Sequence, residues 1–390
     1  MNKKKHNQVK FGMLLFSLNI ILVGALVFSN NSNVGVLWVL GLCIGFVMQR
    51  SRICIASSFR DIFLLKNTAM AQALLVYLIF STLLFGLVYR ISELSNLVVV
   101  GKIEPVGLLT VAGAIIFGIG MVIAGGCVAG TVTRMGEGLV MQWISFTGLI
   151  IGSILGARHF NWFGDKLYSY PKVYIPEYLG FFNAMLFQIL FLGTLFLVMR
   201  LYEKNNSVTY QIAATYEAIS VRKLYHKIFV EAWPYGMGAV ILAVLNALLF
   251  LYHKKPLGIT SSITHMGAGA LDLVGMDFSS WQYFDKEYIF FEYQLVPLVI
   301  AMFIGSLLSC LLAGEFRIRP VRKTRFVISA LFGGMLMGYG SRLADGCNVG
   351  AILSGIPSLS LHGWVFIIGL IPGVLVGIKI LTNYLLIFDM

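Results

Sequence analysis

The sequence predicts an all-α polytopic membrane protein with about 10 transmembrane helices plus short re-entrant helices, built as an inverted-repeat hourglass. Three observations carry this. Only 12% of the 390 residues are charged and 58% are hydrophobic, whereas about a quarter of a soluble protein is charged. Ten apolar runs are long enough, or nearly so, to cross the about 30 Å of bilayer hydrocarbon. A stretch reading GIGMVIAGGCVAG, from Gly118 to Gly130, returns 220 positions later as GYGSRLADGCNVG, from Gly338 to Gly350.

The runs cover roughly 11–29, 34–48, 69–90, 106–125, 139–157, 180–201, 232–252, 293–314, 326–344 and 363–388. The first follows MNKKKHNQVK, and its apolar core is longer than the about 7–15 residues of a secretory signal. LVFSNNSN offers no small-x-small cleavage site, so the run reads as a retained span. The net charge of +12 does not call for nucleic acid, because the basic residues sort by side. With the amino terminus inside, Lys3, Lys4, Lys5, Lys10, the Arg50 to Lys66 group, Arg222, Lys223, Lys227 and the cluster Arg317 to Arg325 all fall in the cytoplasm. That places 19 Lys or Arg inside and 9 outside, as the positive-inside rule asks. The expected location is the cytoplasmic membrane, with lipid around the spans.

The second span ends in QRSRICIASSFRD, where Arg50, Arg52, Arg60 and Asp61 forbid a continuous crossing. ICIASSF is apolar and small, so it reads as a short helix that dips in and returns, tolerated where protein or a watery cavity covers it. Gly125 and Gly126, followed by Gly136 and Gly138, interrupt the next pair of spans around Cys127, each glycine costing a helix about 1 kcal/mol. Residues 158–179, rich in aromatics with two prolines, read as an external interfacial loop. Residues 202–230 form a polar cytoplasmic segment too short for a domain. KKPLGITSS then echoes RSRICIASS, with Gly258 falling on Cys54.

The duplicated unit is therefore span, dip, span, span, dip, span. Beyond Gly130 and Gly350 the register slips by one, and Trp143, Gly148, Gly152 and Gly156 meet Trp364, Gly369, Gly373 and Gly377. The division is an extra span at 1–30, a first repeat at 31–158, a connecting loop, span and cytoplasmic loop at 159–230, and a second, inverted repeat at 231–390. Copies displaced by five crossings face opposite ways, and their broken helices meet near the midplane.

The chemistry at that neck falls to cysteines. Cys54, Cys127 and Cys347 stand at the dips, flanked by Gly126, Gly346 and Asn348, with Gly258 in place of a fourth thiol. A thiol is small, polarizable and a weak donor, and helix N-termini favour anions. Soft S–H donors in series suit a soft sulfur anion that must be released as readily as it is bound. A thiol at a helix N-terminus is also nucleophilic, so a membrane thiol enzyme or sulfurtransferase is the alternative from another class. No CxxC pair or zinc-spaced histidine implies a metal, the sixteen scattered methionines show no copper-binding run, and no cofactor or Walker-type nucleotide motif is visible. Arg52 and Arg60 stand where they draw anions to the inner mouth or snorkel to headgroups. Arg134, Glu137, Arg342 and Asp345 are membrane charges that need a role or a partner; Arg342 and Asp345, three apart, are expected to pair. His265 and His362 read as polar contacts.

QRSRICIASSFRD, GGCVAG with its following GEG, KPLGIT, and especially GYGSRLADGCNVGAILSGIPSLSLHGW resemble the YeeE/YedE family, over roughly 36–380. The resemblance implies an hourglass of inverted repeats that takes up thiosulfate, with Cys54, Cys127 and Cys347 passing the anion by S–H contacts. Cys347 would then serve the external side, Cys127 the centre or inner side and Cys54 the inner funnel. It further implies a soluble TusA-type sulfur-carrier partner, and members linked to selenium keep a selenium compound or another small sulfur species open as cargo. One departure is Pro357, Ser358, Leu359 and Ser360, where the family often carries a longer small-residue run.

Overall fold

A computed structural model describes residues 3–29, 31–206, 225–278, 280–284 and 295–386. Arg222 and Lys223 of the expected cytoplasmic cluster lie outside these. Among the described residues every named element is a helix, and ten helical segments are long and apolar enough to span a membrane. The chain is an all-α polytopic membrane protein.

In chain order the elements are α1 (Lys3–Phe28), α2 (Ser32–Ser51), α3 (Ile55–Leu65), α4 (Ala69–Leu94), α5 (Leu108–Ile123), α6 (Val128–Gly136), α7 (Val140–Tyr168), α8 (Pro176–Leu179) and α9 (Phe181–Asn206). After a π-helical turn, α10 (His226–Val230), come α11 (Tyr235–His253), α12 (Thr260–Asp272), α13 (Val296–Ala313) and α14 (Thr324–Leu343). The π-helical α15 (Asn348–Gly355), then α16 (Leu361–Ile380) and a π-helical turn, α17 (Leu381–Leu386), complete the chain.

Short helices α3, α6, α12 and α15 occupy the places expected of the four dips. Their partners exchange between the copies: α2 packs on α13 as α11 packs on α4, and α7 packs on α14 as α16 packs on α5. Individual glycines repeat the exchange. A Cβ on Gly148 would overlap the backbone of Leu331, and one on Gly369 that of Val111; Gly152 meets Met335 as Gly373 meets Ile115. Reciprocal contacts of this kind are those of a two-fold relation. Glycines from both copies let α5 and α14 cross closely: a Cβ on Gly120 would lie 2.6 Å from the Gly333 oxygen, and one on Gly340 2.7 Å from the Gly113 oxygen. Small residues let backbones touch where lipid offers no hydrophobic drive for association.

The one-residue slip has a local cause. The helix after Cys127 is α-helical, whereas the one after Cys347 is wound as π, which accommodates an additional residue per turn. Offsets of 220 before it and 221 after it follow.

Two expectations are corrected. Residues 158–179 are not a loop throughout, because α7 continues to Tyr168. Phe160, Phe163 and Leu167 recur at helical spacing and are buried beside Leu343, and that burial holds the helix together. Arg342 and Asp345 do not form the expected pair: α14 ends at Leu343 and Asp345 turns into left-handed backbone at φ 48°. The two side chains thus leave the common helical face, and Arg342 donates to Ser261 Oγ at 3.3 Å and to the Tyr283 hydroxyl. Arg50, only 1% exposed, is satisfied by Glu315 at 2.8 Å and by the carbonyls of Phe229 and Val230.

Candidate functional site: four helix starts and three thiols

Each dip begins with a break that leaves a helix N-terminus in the protein interior, and three of those starts carry cysteine. Cys54 is the N-cap of α3, Cys127 of α6 and Cys347 of α15. All three are buried, at 3%, 0% and 1% exposure, and α6 packs against α15. Gly258 stands one residue before the N-cap of α12, Ile259, so the fourth helix starts one position later than the alignment with Cys54 implies. A Cβ on Gly258 would meet nothing within 4 Å.

Cys54 and Cys127 come together at Gly130. Gly130 makes room for both: its Cβ would stand 3.2 Å from Cys54 Sγ and 3.5 Å from Cys127 Sγ. The Gly130 N–H donates to Cys127 Sγ at 3.4 Å, so one N–H of this helix start is already taken by the cysteine's own sulfur. Cys347 makes no such cap bond. The geometry thus joins the two thiols of the first copy and leaves the third on the second copy's dip.

The glycines before the cysteines face tethers rather than open space. Gln142 Nε2 donates to the Ala124 carbonyl at 3.3 Å, and His362 Nε2 donates to the equivalent Ala344 carbonyl at 2.8 Å. Each ties the end of one span to the start of the next, and Gly126 and Gly346 lie against these side chains. The histidine was expected to be a polar contact; Gln142, which makes the same tether one position out of the slipped register, escaped notice. Asn348 is 1% exposed; its Nδ2 donates to Met121 Sδ at 2.9 Å and its buried Oδ1 has no partner. Arg52 is exposed in left-handed backbone beyond the end of α2 and takes no place among the thiols. The cation beside them is Arg134, whose Nη1 donates to the Gly125 carbonyl at 2.6 Å.

A cavity of about 30 Å³ lies between the copies, lined by the equivalent pairs Ile55 and Ile259, and Ala129 and Val349. It is water-sized and lined almost wholly by apolar side chains.

The second copy's dip has charged neighbours that the sequence reading did not single out. Glu104 pairs with Lys102 and lies 3.7 Å from Lys172 Nζ. A Cβ on Gly350 would lie 3.7 Å from Lys102 Cε. Among the described residues no group of His, Cys, Asp or Glu could hold a metal ion.

The sequence profile of the family described as Sulphur transport matches residues 50–376, a range that contains all four dips. The chain belongs to this family, the YeeE/YedE family. Among its relatives, the thiosulfate transporter TsuA of Escherichia coli K12 is 30% identical over 86% of this chain and 90% of its own length. The thiosulfate transporter TsuA of Spirochaeta thermophila is 27% identical over 85% of this chain and 94% of its own. The probable transporter YedE of Escherichia coli is 33% identical over 36% of this chain and 37% of its own. As a member of the YeeE/YedE family this chain is a transporter of sulfur anions rather than an enzyme.

Proposed function

We propose that the protein imports thiosulfate across the cytoplasmic membrane through a central path on which Cys54, Cys127 and Cys347 hand the anion along. The observation that carries this is the placement of three buried thiols at interior helix starts, two of them beside the same glycine. Thiosulfate carries a terminal sulfur and two negative charges. Helix N-termini and Arg134 supply the positive potential for those charges, and S–H groups supply donors soft enough to release what they hold. Gly126 and Gly346 let the backbone approach, Gly258 leaves room at the fourth start, and Asn348 offers a buried polar edge beside Cys347. Arg52 serves at the inner mouth.

In this reading the amino terminus is cytoplasmic, and the two repeats, 31–158 and 231–390, insert in opposite directions. The dips of the first then open to the cytoplasm and those of the second to the outside. The buried thiols and the water-sized cavity correspond to a closed path, so passage requires the dips to part. A TusA-type carrier on the cytoplasmic side would remove the sulfur after entry. Moving a dianion inward against an inside-negative membrane costs about 4.6 kcal/mol per 100 mV, so net uptake requires a driving force.

Radiolabelled thiosulfate uptake into vesicles holding the native chain, Cys127→Ala, Cys127→Ser or Cys347→Ala tests the reading. Both alanine variants should lose uptake, and serine, whose hydroxyl still donates, should retain a fraction. Undiminished uptake in both alanine variants would remove the thiols from the path. A native chain that ignores thiosulfate but takes up selenite or sulfite would change the cargo.

A further inference from the structure

We propose that the cleft between the starts of α7 and α14 binds one anionic phospholipid, with its phosphate on Arg319 and Arg322 and the root of its acyl chains on Leu139, Met141 and Phe326. The cleft has a volume of about 430 Å³, within the about 300–1,000 Å³ of small-molecule sites. Arg319, Arg322 and Lys323 line it together with those apolar side chains. A fourth cation stands beside it, since the Arg325 guanidinium lies over the Phe326 ring, 5.2 Å from its centre. Cationic and apolar groups in one cleft match a lipid where headgroup meets chain, and basic pockets between membrane helices bind anionic headgroups. The site stands whether or not thiosulfate is the cargo.

The cleft also sits at the right depth. Its walls are the first residues of α7 and the approach to α14, and each helix goes on to span the membrane. Trp143, in the first turn of α7, is 47% exposed, and Ile318, beside Arg319, is 71% exposed. Exposed aromatic residues near the end of a span mark the membrane interface. Neither helix start carries a side-chain cap, so both dipoles add to the positive potential there. Arg319 and Arg322 are exposed, and among the described residues neither forms a salt bridge.

The other copy shows how the chain treats the same turn when nothing is to bind. Glu104, Pro105, Val106 and Gly107 lead into α5, as Arg319, Pro320, Val321 and Arg322 lead into α14. The turn before α5 is closed from within the chain. A Cβ on Gly107 would run into the Tyr170 ring, the Val106 N–H donates to the Pro171 carbonyl at 3.0 Å, and Glu104 is paired with Lys102 and Lys172. The turn before α14 has arginine where its twin has glutamate and glycine, and an open cleft where its twin has the tyrosine. Its backbone is nonetheless fixed: the Arg319 N–H donates to the Gly138 carbonyl at 2.9 Å, and the Arg319 carbonyl accepts from the Val140 N–H at 3.2 Å. The cations therefore ride on a preformed frame, and little ordering opposes binding. What one copy fills with an aromatic ring and neutralises with its own ion pairs, the other leaves for a ligand that is both apolar and negatively charged.

The test uses the full chain in detergent, with phosphatidylglycerol, phosphatidylcholine and soluble glycerol phosphate as probes, read by native mass spectrometry and thermal unfolding. Phosphatidylglycerol should bind as one molecule per chain and raise Tm; the other two, at the same concentration, should do neither. Each cation near an anionic lipid contributes roughly fivefold in affinity, so Arg319→Gln/Arg322→Gln should weaken phosphatidylglycerol binding roughly thirty-fold. Arg319→Lys/Arg322→Lys should keep most of it. Lys10→Gln/Lys227→Gln, which removes the same charge from exposed positions outside the cleft, should bind as the native chain does. Without lipid all three variants should melt with the native chain, which separates lost binding from lost fold. Equal binding of phosphatidylcholine, or an equal loss in the Lys10/Lys227 pair, would overturn the site by reducing it to a greasy groove or to diffuse charge. Binding of glycerol phosphate in place of the lipid would give the cleft to a free phosphate ester. A dimer that the glutamine pair dissociates would give it to a second copy of the chain.

Discussion

Gly130 is where a single methyl group separates folding from transport. Its Cβ would stand 3.2 Å from Cys54 Sγ and 3.5 Å from Cys127 Sγ, with no backbone atom of another segment within 4 Å. The first distance is tighter than ordinary packing, so the Cys54 side chain must yield by a few tenths of an ångström. Overpacking of this kind costs about 1–3 kcal/mol. Exchange of glycine for alanine inside α6 returns about 1 kcal/mol of helix propensity. Gly130→Ala should therefore fold, with a net loss of about 0–2 kcal/mol. Its effect on transport should be much larger, because the methyl stands between the two thiols that hand on the anion. A hydrogen bond to a charged partner contributes about 1.5–3 kcal/mol, so losing one should raise the apparent KM roughly 10- to 150-fold. Thiosulfate uptake in vesicles measures the second effect, and thermal unfolding in detergent the first. Gly193→Ala, whose added Cβ meets nothing within 4 Å on the lipid-exposed α9, should change neither. A folded Gly130→Ala protein with native uptake would refute the claim that the ion passes between these sulfurs.

Three further outcomes follow from the packing. Gln142→Leu removes the donor to the Ala124 carbonyl and should lower stability by about 1–3 kcal/mol; His362→Gln, which installs the first copy's tether in the second, should melt closer to the native chain than His362→Leu. Glu315→Ala leaves the Arg50 charge buried without its carboxylate, and because Glu315 is partly exposed the loss should fall near the lower end of about 3–5 kcal/mol. Gly340→Ala drives a Cβ to 2.7 Å from both the Gly113 oxygen and the Phe117 nitrogen; with backbone on both sides and no side chain to yield, it should give little folded protein, read as loss of the monodisperse peak in detergent.

Much of the architecture was legible because lipid leaves few choices. Long apolar runs become helices, and interruptions such as Gly125, Gly126 and Cys127 become breaks wherever the chain also repeats itself. The same repetition singled out the three thiols. What could not be read was which sulfurs lie side by side at one glycine. Cys54 and Cys127 are 73 positions apart, and nothing in either motif says that Gly130 brings them together. The Arg342–Asp345 pairing failed because helical spacing is informative only while the helix continues, and α14 stops between them. Gln142 was overlooked because no like residue stands opposite: glutamine in one copy and histidine in the other perform the same tether with different atoms.

The sequence by itself determined that this is a duplicated, membrane-embedded helical protein with cysteines at its breaks, because hydrophobic run length, glycine interruption and internal repetition are one-dimensional properties. Only the tertiary structure decided that two of those thiols share one glycine niche and that an aspartate occupies a turn its twin gives to glycine. Those are matters of distance between segments far apart in the chain, and such distances are set by how the two copies press their glycine faces together.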